Sequence, residues 1–354
     1  MMILSGAAPR GKLLTALIVS IVVLLALAPF LFPGSKPLNV AAKICVYALL
    51  VASYDLLLGY AGIVSFAHTM FFGIGSYGVA IALYGMGPSW GAILVGLVCG
   101  LALAALLALA IGLFSLRVQT IFFAMVTLAV ASAFAVLASQ LSWLTGGEDG
   151  RTFTVPQALR PGFKLIENGP FGIEVNGRTL AYYLVFSGVA LLILLLLRIT
   201  ESPYGRVLQA IRENPFRAEA LGYRIIVHRT TANVLAAVFA AAAGALNAVW
   251  LRYTGPDTSL SFSIMLDVLV MVVIGGMGTL YGAVVGAALF VLAQNYLQAL
   301  MGSAFAMLTA ARVPTLAGFF NPDRWLLWLG VLFILSVYFF PTGIVGKLRA
   351  EQKP

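Results

Sequence analysis

Ionisable side chains are scarce in the long apolar runs of this 354-residue chain, so each one there is a candidate for chemistry. Lys43, Asp55, His68 and Asp267 are such groups. His68 ends the stretch Gly59-Tyr60-Ala61-Gly62-Ile63-Val64-Ser65-Phe66-Ala67-His68, which closes one apolar run and opens the next. Small residues let helix backbones approach closely, and Ser65 and His68 can hydrogen-bond between helices. Gly59, Gly62, Ser65 and His68 are therefore candidates either for the lining of a path or for helix packing. Asp267 joins them. It is followed by Gly275, Gly276 and Gly278, where a broken helix could expose backbone polar groups to a water-filled cavity. The alternative for Asp267 is a structural partner such as Lys43.

Catalytic patterns are absent. Thr145-Gly146-Gly147-Glu148-Asp149-Gly150 is a Gly-rich loop, but it lacks the Lys and Ser/Thr of a Walker A sequence, and none occurs elsewhere. The chain has no paired-histidine metal motif and no G-x-S-x-G. Cys45 and Cys99 lie inside apolar runs without metal-ligand spacing and read as small buried hydrophobes. An enzyme is not expected, and neither a cofactor nor a metal site is indicated. ATP hydrolysis, if it drives the system, belongs to another subunit.

Residues 198–230 form the most informative polar segment. A helix over 204–212 would place Val207, Leu208 and Ile211 on one face and Arg206, Gln209 and Arg212 elsewhere. Asn214 then fits an N-cap, with Pro215 at the first helical position, where its missing N–H costs nothing. Phe216, Arg217, Glu219, Ala220 and Leu221 complete a short helix over about 215–221, and Gly222 supplies the left-handed residue that ends it. Such a helix is a rigid lever that can sit in a socket on a partner. A basic loop resting on anionic headgroups is the alternative. Headgroups alone require neither the caps nor Glu213 and Glu219, which favours docking.

Composition identifies the elements that must hold these residues. The chain is 62% hydrophobic and 9% charged, against about 45–50% apolar and about 25% charged in ordinary soluble domains. That excludes a disordered chain, a nucleic-acid-binding protein and almost any soluble enzyme, and turns most of the exterior toward lipid. A bilayer core about 30 Å thick takes about 20 apolar residues per helix. Ten spans are predicted, over 13–31, 40–58, 63–83, 90–114, 118–141, 180–197, 231–251, 262–274, 281–300 and 325–340. Ala26-Leu27-Ala28 resembles a signal-peptidase site, but Pro29 would follow the cut, so the first span is read as uncleaved. The fold class is all-α: a polytopic membrane protein forming one transmembrane domain over residues 1–354. A polar loop over 142–179 carries a predicted hairpin around Asn176-Gly177, flanked by Ile173, Val175 and Leu180.

Ten spans put both termini on one side. Arg10, Lys12, Arg117, Lys347, Arg349, Lys353 and six arginines from Arg198 to Arg229 fall there, which makes it cytoplasmic. On the opposite face Arg151, Arg160, Lys164 and Arg178 are offset by Glu148, Asp149, Glu167 and Glu174. The net charge of +9 thus reads as membrane topology and requires no nucleic acid. One echo bears on architecture. Met86-Gly87-Pro88-Ser89-Trp90-Gly91-Ala92 resembles Met277-Gly278-Thr279-Leu280-Tyr281-Gly282-Ala283, five spans later. An odd number of spans inverts the second copy, giving a five-plus-five inverted repeat of the kind that builds a transport path. Chance similarity between Gly-Ala-rich turns is the alternative.

Gly59-Tyr60-Ala61-Gly62 with Ser65 and His68, the 145–150 loop, Glu219-Ala220-Leu221-Gly222 and the ending Phe340-Pro341-Thr342-Gly343-Ile344-Val345-Gly346 resemble the LivM-type permeases. These are membrane subunits of branched-chain amino acid ABC importers, and the likeness runs from about Tyr54 to Arg349. The resemblance implies an ABC importer permease fold in a bacterial inner membrane and a homologous LivH-type permease subunit. Two cytoplasmic ABC ATPases and a periplasmic substrate-binding protein would complete the system. The 215–221 helix then corresponds to the coupling helix, matching the family's EAA-loop region at Glu219, Ala220 and Gly222. It departs from the general EAA pattern in that only Leu221 separates Ala220 from Gly222 and the second alanine is missing. The implied mechanism is alternating access, with substrate passing at the interface with the partner permease. Few intramembrane charges suit a neutral, zwitterionic or apolar substrate and do not single out one amino acid. Two other classes stand beside this one: a secondary transporter working alone through Asp55, Asp267 or His68, and a passive channel for a small neutral solute. Neither requires a capped cytoplasmic helix.

Overall fold

In lipid every backbone N–H and C=O must find its partner inside the protein, so long apolar runs close into helices. The computed structural model describes residues 12–32, 34–115, 120–166, 175–310 and 319–350. Arg10, Arg117, Glu167, Ile173, Glu174 and Lys353, which entered the sequence reading, lie outside them. Among the described residues, ten helical stretches are long and apolar enough to cross a membrane. The helices are α1 (Lys12–Leu31), α2 (Ser35–Asp55), α3 (His68–Met86), α4 (Trp90–Ser115), α5 (Thr120–Gln140) and α6 (Gly177–Glu201). Two short helices follow, α7 (Pro203–Glu213) and α8 (Pro215–Ala220). Then come α9 (Ile225–Leu251), α10 (Phe262–Gly275), α11 (Leu280–Ala310), α12 (Trp325–Phe339) and α13 (Gly343–Ala350).

The helix α2 is the centre of the molecule. Its spanning stretch is 94% buried, against 11% for α1 and for the last span and 17% for α5, whose apolar surfaces are left for lipid. Helices α11, α9, α6 and α10 surround α2, and on the far side of α9 the helices α3 and α4 pack with it through small residues, the device that replaces hydrophobic drive between helices in a bilayer. A Cβ placed on Gly78 of α3 would lie 2.7 Å from the Gly96 carbonyl oxygen of α4. Ser76 Oγ donates to the Gly244 carbonyl at 2.8 Å, tying α3 to α9, and Asn233 Nδ2 donates to the Ala108 carbonyl at 2.8 Å, tying α9 to α4. The buried run Ala240, Ala241, Ala243 and Ala245 lets α9 approach its neighbours.

Span boundaries differ from the hydropathy reading in several places: α9 starts six residues earlier, at Ile225, and α11 runs on to Ala310. The second span begins at Ser35 and continues past Asp55 through a π-helical turn, Leu56–Ala61, that ends at Gly62 with φ +67°. The third becomes helical only at His68, because the chain before it takes its bonds elsewhere: Phe66 N donates to Thr127 Oγ1 at 3.0 Å. Hydropathy registers the apolar character of residues 63–67 and not their irregular, non-helical path. The eighth span is short because its first turn is a separate helix, Pro256–Ser259, after which Leu260 packs over Gly73 and Phe262 over Phe66.

The predicted outer loop also departs from expectation. Strands β1 (Arg151–Thr152), β2 (Lys164–Ile166), β3 (Val175–Asn176) and β4 (Tyr253–Thr254) form two antiparallel pairs, β1 with β4 and β2 with β3. Asn176-Gly177 is therefore not the hairpin turn. Asn176 ends β3 and precedes the first residue of α6, so a residue pair suited to a tight turn serves instead at a strand-to-helix junction. The β1–β4 pair, invisible to local sequence, ties this loop to the connection between α9 and α10.

Candidate functional site

A polar stripe runs down α2. Ser35, Asn39, Lys43 and Tyr47 recur every four residues, the spacing that stacks side chains on one helix face. Ser263 and Asp267 make the same pattern on α10, and Gln294 and Asn295 add two amides from α11. These groups face one another around a cavity of about 690 Å³ that the end of α9 closes with Asn247 and Trp250. A carboxylate or ammonium at the centre of a membrane helix costs about 2.5–3.5 kcal/mol and is found where it meets a partner or a water-filled space. Here each charge meets a partner at the edge of the cavity. Lys43 Nζ donates to Gln294 Oε1 at 2.8 Å, and Gln294 Nε2 donates to Asp267 Oδ2 at 3.3 Å. This orientation of the amide satisfies both charges, since the reverse would face donor to donor and acceptor to acceptor. The ammonium also lies 5.3 Å from the centre of the Tyr47 ring.

At the predicted outer end Arg178, at the start of α6, is fixed across the beginning of α2. Its guanidinium donates to Ser35 Oγ at 2.6 Å, to the Ser35 carbonyl at 3.2 Å and to Asn39 Oδ1 at 3.1 Å. The same group lies 5.9 Å from the Trp250 ring. Lys36 and Asp257 line this end of the cavity.

The second candidate region lies at the opposite end. Leu208 and Ile211 bury one face of α7. The chain turns at Asn214, whose Oδ1 accepts the Arg217 N–H at 3.0 Å as an N-cap, and Pro215 occupies the first helical position of α8. Gly222, at φ +88°, closes the helix: its N–H reaches the Glu219 carbonyl at 2.8 Å, and the Tyr223 N–H reaches the Ala218 carbonyl at 3.1 Å. Ala218 is buried, whereas Phe216 and Leu221 are 83% and 72% exposed. Two large apolar side chains are thus exposed on a capped helix outside the spans.

Arg212 connects that helix pair to the core. Its guanidinium donates to the Gly59 carbonyl, within the π-helical turn, and its aliphatic stem packs beside Gly62. Asp55 Oδ1 accepts the Gly278 N–H at 2.8 Å. Gly59 sits between these partners, where an added Cβ would collide with both the Asp55 carboxyl and the Gly278 backbone. The end of the second span, the break between α10 and α11, and α7 thus meet at one point.

Among the sequence candidates for a path, Asp267 lines the polar cavity, and Gly59, Gly62, Ser65 and His68 do not. Gly59 and Gly62 lie at the Arg212 junction. His68 is fully buried, with Nε2 2.8 Å from Ser53 Oγ and its ring against Tyr54 at 5.2 Å. Ser65 is buried and accepts the Ala67 N–H at 3.4 Å. Asn214 through Gly222 form one capped unit, exposed except at Pro215 and Ala218. Sequence reasoning missed Ser35, Asn39, Tyr47, Gln294 and Arg212. The four-residue polar spacing on α2 was the available signal for the first three. Among the described residues no group of three His, Cys, Asp or Glu side chains converges as a metal site. The arrangement is suited to holding and passing a small polar solute.

Comparison with known proteins agrees with this geometry. Residues 36–337 match the family described as branched-chain amino acid transport system / permease component. The high-affinity branched-chain amino acid transport system permease protein LivM of Salmonella typhimurium is 24% identical over 366 residues, covering 99% of this chain and 78% of the relative. Its Escherichia coli counterpart is 25% identical with the same coverage. A probable branched-chain amino acid transport permease protein LivM of Methanocaldococcus jannaschii is 27% identical over 177 residues, covering 49% of this chain and 48% of the relative. No solved structure matches significantly.

Proposed function

Because the chain belongs to the branched-chain amino acid transport permease family, we propose that it is the membrane subunit of an ATP-driven importer for branched-chain or other small amino acids. The observation that carries this is the pairing, in one chain, of a polar intramembrane cavity with an exposed capped helix wired to the helix bundle through Arg212. The cavity lies near the end predicted to be periplasmic, where a binding protein would deliver substrate. The α7–α8 pair lies at the end predicted to be cytoplasmic, where Phe216 and Leu221 would enter a groove on an ABC ATPase. Two such ATPases and a LivH-type permease subunit complete the assembly, in a bacterial inner membrane with both termini cytoplasmic.

The mechanism is alternating access. ATP binding draws the ATPases together and moves α8, and Arg212 passes that displacement to Gly59 and the adjoining Gly278 break, where glycine backbone yields most readily. The outer cavity then closes as an inner opening forms. We also read the α3–α4 and α10–α11 pairs as equivalent parts of a five-plus-five inverted repeat. Glycine-mediated close approach in both pairs, Gly78 on Gly96 and Gly286 on the Met271 carbonyl, supports this.

Reconstitution into liposomes tests the function. The chain with its partner permease, ATPases and binding protein should accumulate radiolabelled leucine only with ATP inside and binding protein outside. Gradient-driven uptake by the chain alone would make it a secondary carrier, and downhill leak alone would make it a channel.

A further inference from the structure

We propose, building on the importer function above, that Lys43, Gln294 and Asp267 form the binding site for the head group of an α-amino acid zwitterion. Lys43 takes the α-carboxylate and Asp267 the α-ammonium, and the Gln294 amide swings aside. The contacts already present define that ligand. Gln294 offers a carbonyl oxygen to the Lys43 ammonium at 2.8 Å and an N–H to the Asp267 carboxylate at 3.3 Å, so one small planar group spans two opposite charges. An α-amino acid carries an anionic acceptor and a cationic donor on adjacent carbons. It presents the same two contacts with both partners charged, which adds direct Coulomb attraction to bonds that are charge-assisted from the protein side alone when the amide makes them. The head group therefore competes well against the amide, and only a flexible side chain must move.

Charge balance narrows the class. The cavity is lined by Lys36 and Lys43 against Asp257 and Asp267, two cations against two carboxylates, which suits a ligand with no net charge. Val40, Tyr47, Trp250 and Ile264 line the same space and supply apolar wall for an aliphatic side chain. At about 690 Å³ the cavity falls within the range of small-molecule sites. An amine lacking the carboxylate leaves Lys43 without its ionic partner, and an acid lacking the ammonium does the same to Asp267. A site built around two opposite charges rejects both analogues.

The experiment uses the detergent-purified complex of this chain with its partner permease and ATPases, without binding protein, and measures radiolabelled leucine by equilibrium dialysis. In the wild type, 3-methylbutylamine and 4-methylpentanoate should each compete about tenfold to hundredfold more weakly than unlabelled leucine. Lys43→Met and Asp267→Asn should each weaken leucine binding by a similar factor. Lys43→Met should narrow the gap between leucine and the amine, and Asp267→Asn the gap between leucine and the acid. Equal competition by either analogue, absence of saturable leucine binding, or wild-type affinity in both assembled variants overturns the proposal. If the variants do not assemble, the wild-type competition series decides alone. ATP-driven uptake with equal competition would remove the subsite and leave the importer standing. Selective leucine binding without ATP-driven uptake would do the reverse.

Discussion

At His68 the imidazole Nε2 lies 2.8 Å from Ser53 Oγ, Ser53 Oγ donates to the Leu50 carbonyl at 2.7 Å, and the ring is fully enclosed against Tyr54. Asp267 is as rare in its helix but faces a cavity and holds a flexible amide. Identical scarcity in sequence therefore conceals two kinds of work. His68→Ala removes a buried ring and an interhelical bond, and is expected to cost roughly 2–4 kcal/mol of stability, most of it from the cavity left behind. Thermal unfolding of the purified complex should fall while the KM for leucine uptake stays unchanged. A raised KM at wild-type stability would place His68 on the path instead.

Helix α8 shows what an element of six residues gains from its ends. Asn214 and Gly222 satisfy terminal backbone groups, so the turn holds its shape while presenting Phe216 and Leu221 outward. A β-branched residue at Gly222 is forced into the left-handed region, a cost of about 1–2 kcal/mol confined to the helix end. Gly222→Val and Glu219→Arg should both abolish ATP-driven uptake while the protein remains inserted and assembled with its partner permease. Uptake at the wild-type rate in both variants would remove the coupling role from this segment. The cap also explains why the helix could be delimited from sequence: every bond that ends it lies within a few residues of the chain.

Across the whole molecule, the two regions sit at opposite ends of one bundle, and the distribution of basic residues predicts its orientation. At the predicted outer end the arginines are engaged with protein. Arg178 holds α2, Arg160 Nε donates to the Val155 carbonyl at 3.1 Å, and the Arg151 guanidinium lies 4.0 Å from the Tyr84 ring centre. These three are tied to the protein, whereas the arginines of α7 and α8, Arg212 apart, surround the segment proposed to dock. In a background with Cys45 and Cys99 replaced by alanine, Gly85→Cys should react with a membrane-impermeant maleimide in intact spheroplasts. Phe216→Cys should react only after permeabilisation, and the opposite pattern would invert the proposed topology. Gly85 suits this use because nothing lies within 4 Å of an added Cβ.

Sequence by itself determined the ten-span class, the apolar exterior and the capped α7–α8 segment. Each rests on local rules: run length against bilayer thickness, charge asymmetry, and capping residues beside the turn they close. It also ranked Gly59, Gly62, Ser65, His68 and Asp267 together, because scarcity and spacing do not say which neighbour a side chain meets. Tertiary structure separated them. Lys43 and Gln294 lie 251 residues apart in the chain, and Arg212 and Gly59 lie 153 apart. The non-helical path before His68 was likewise held by a bond from Phe66 to Thr127, 61 residues away. A helix fixes its own face through a 3.6-residue period, but what that face touches depends on how distant helices pack. The cavity exists only where four of them converge.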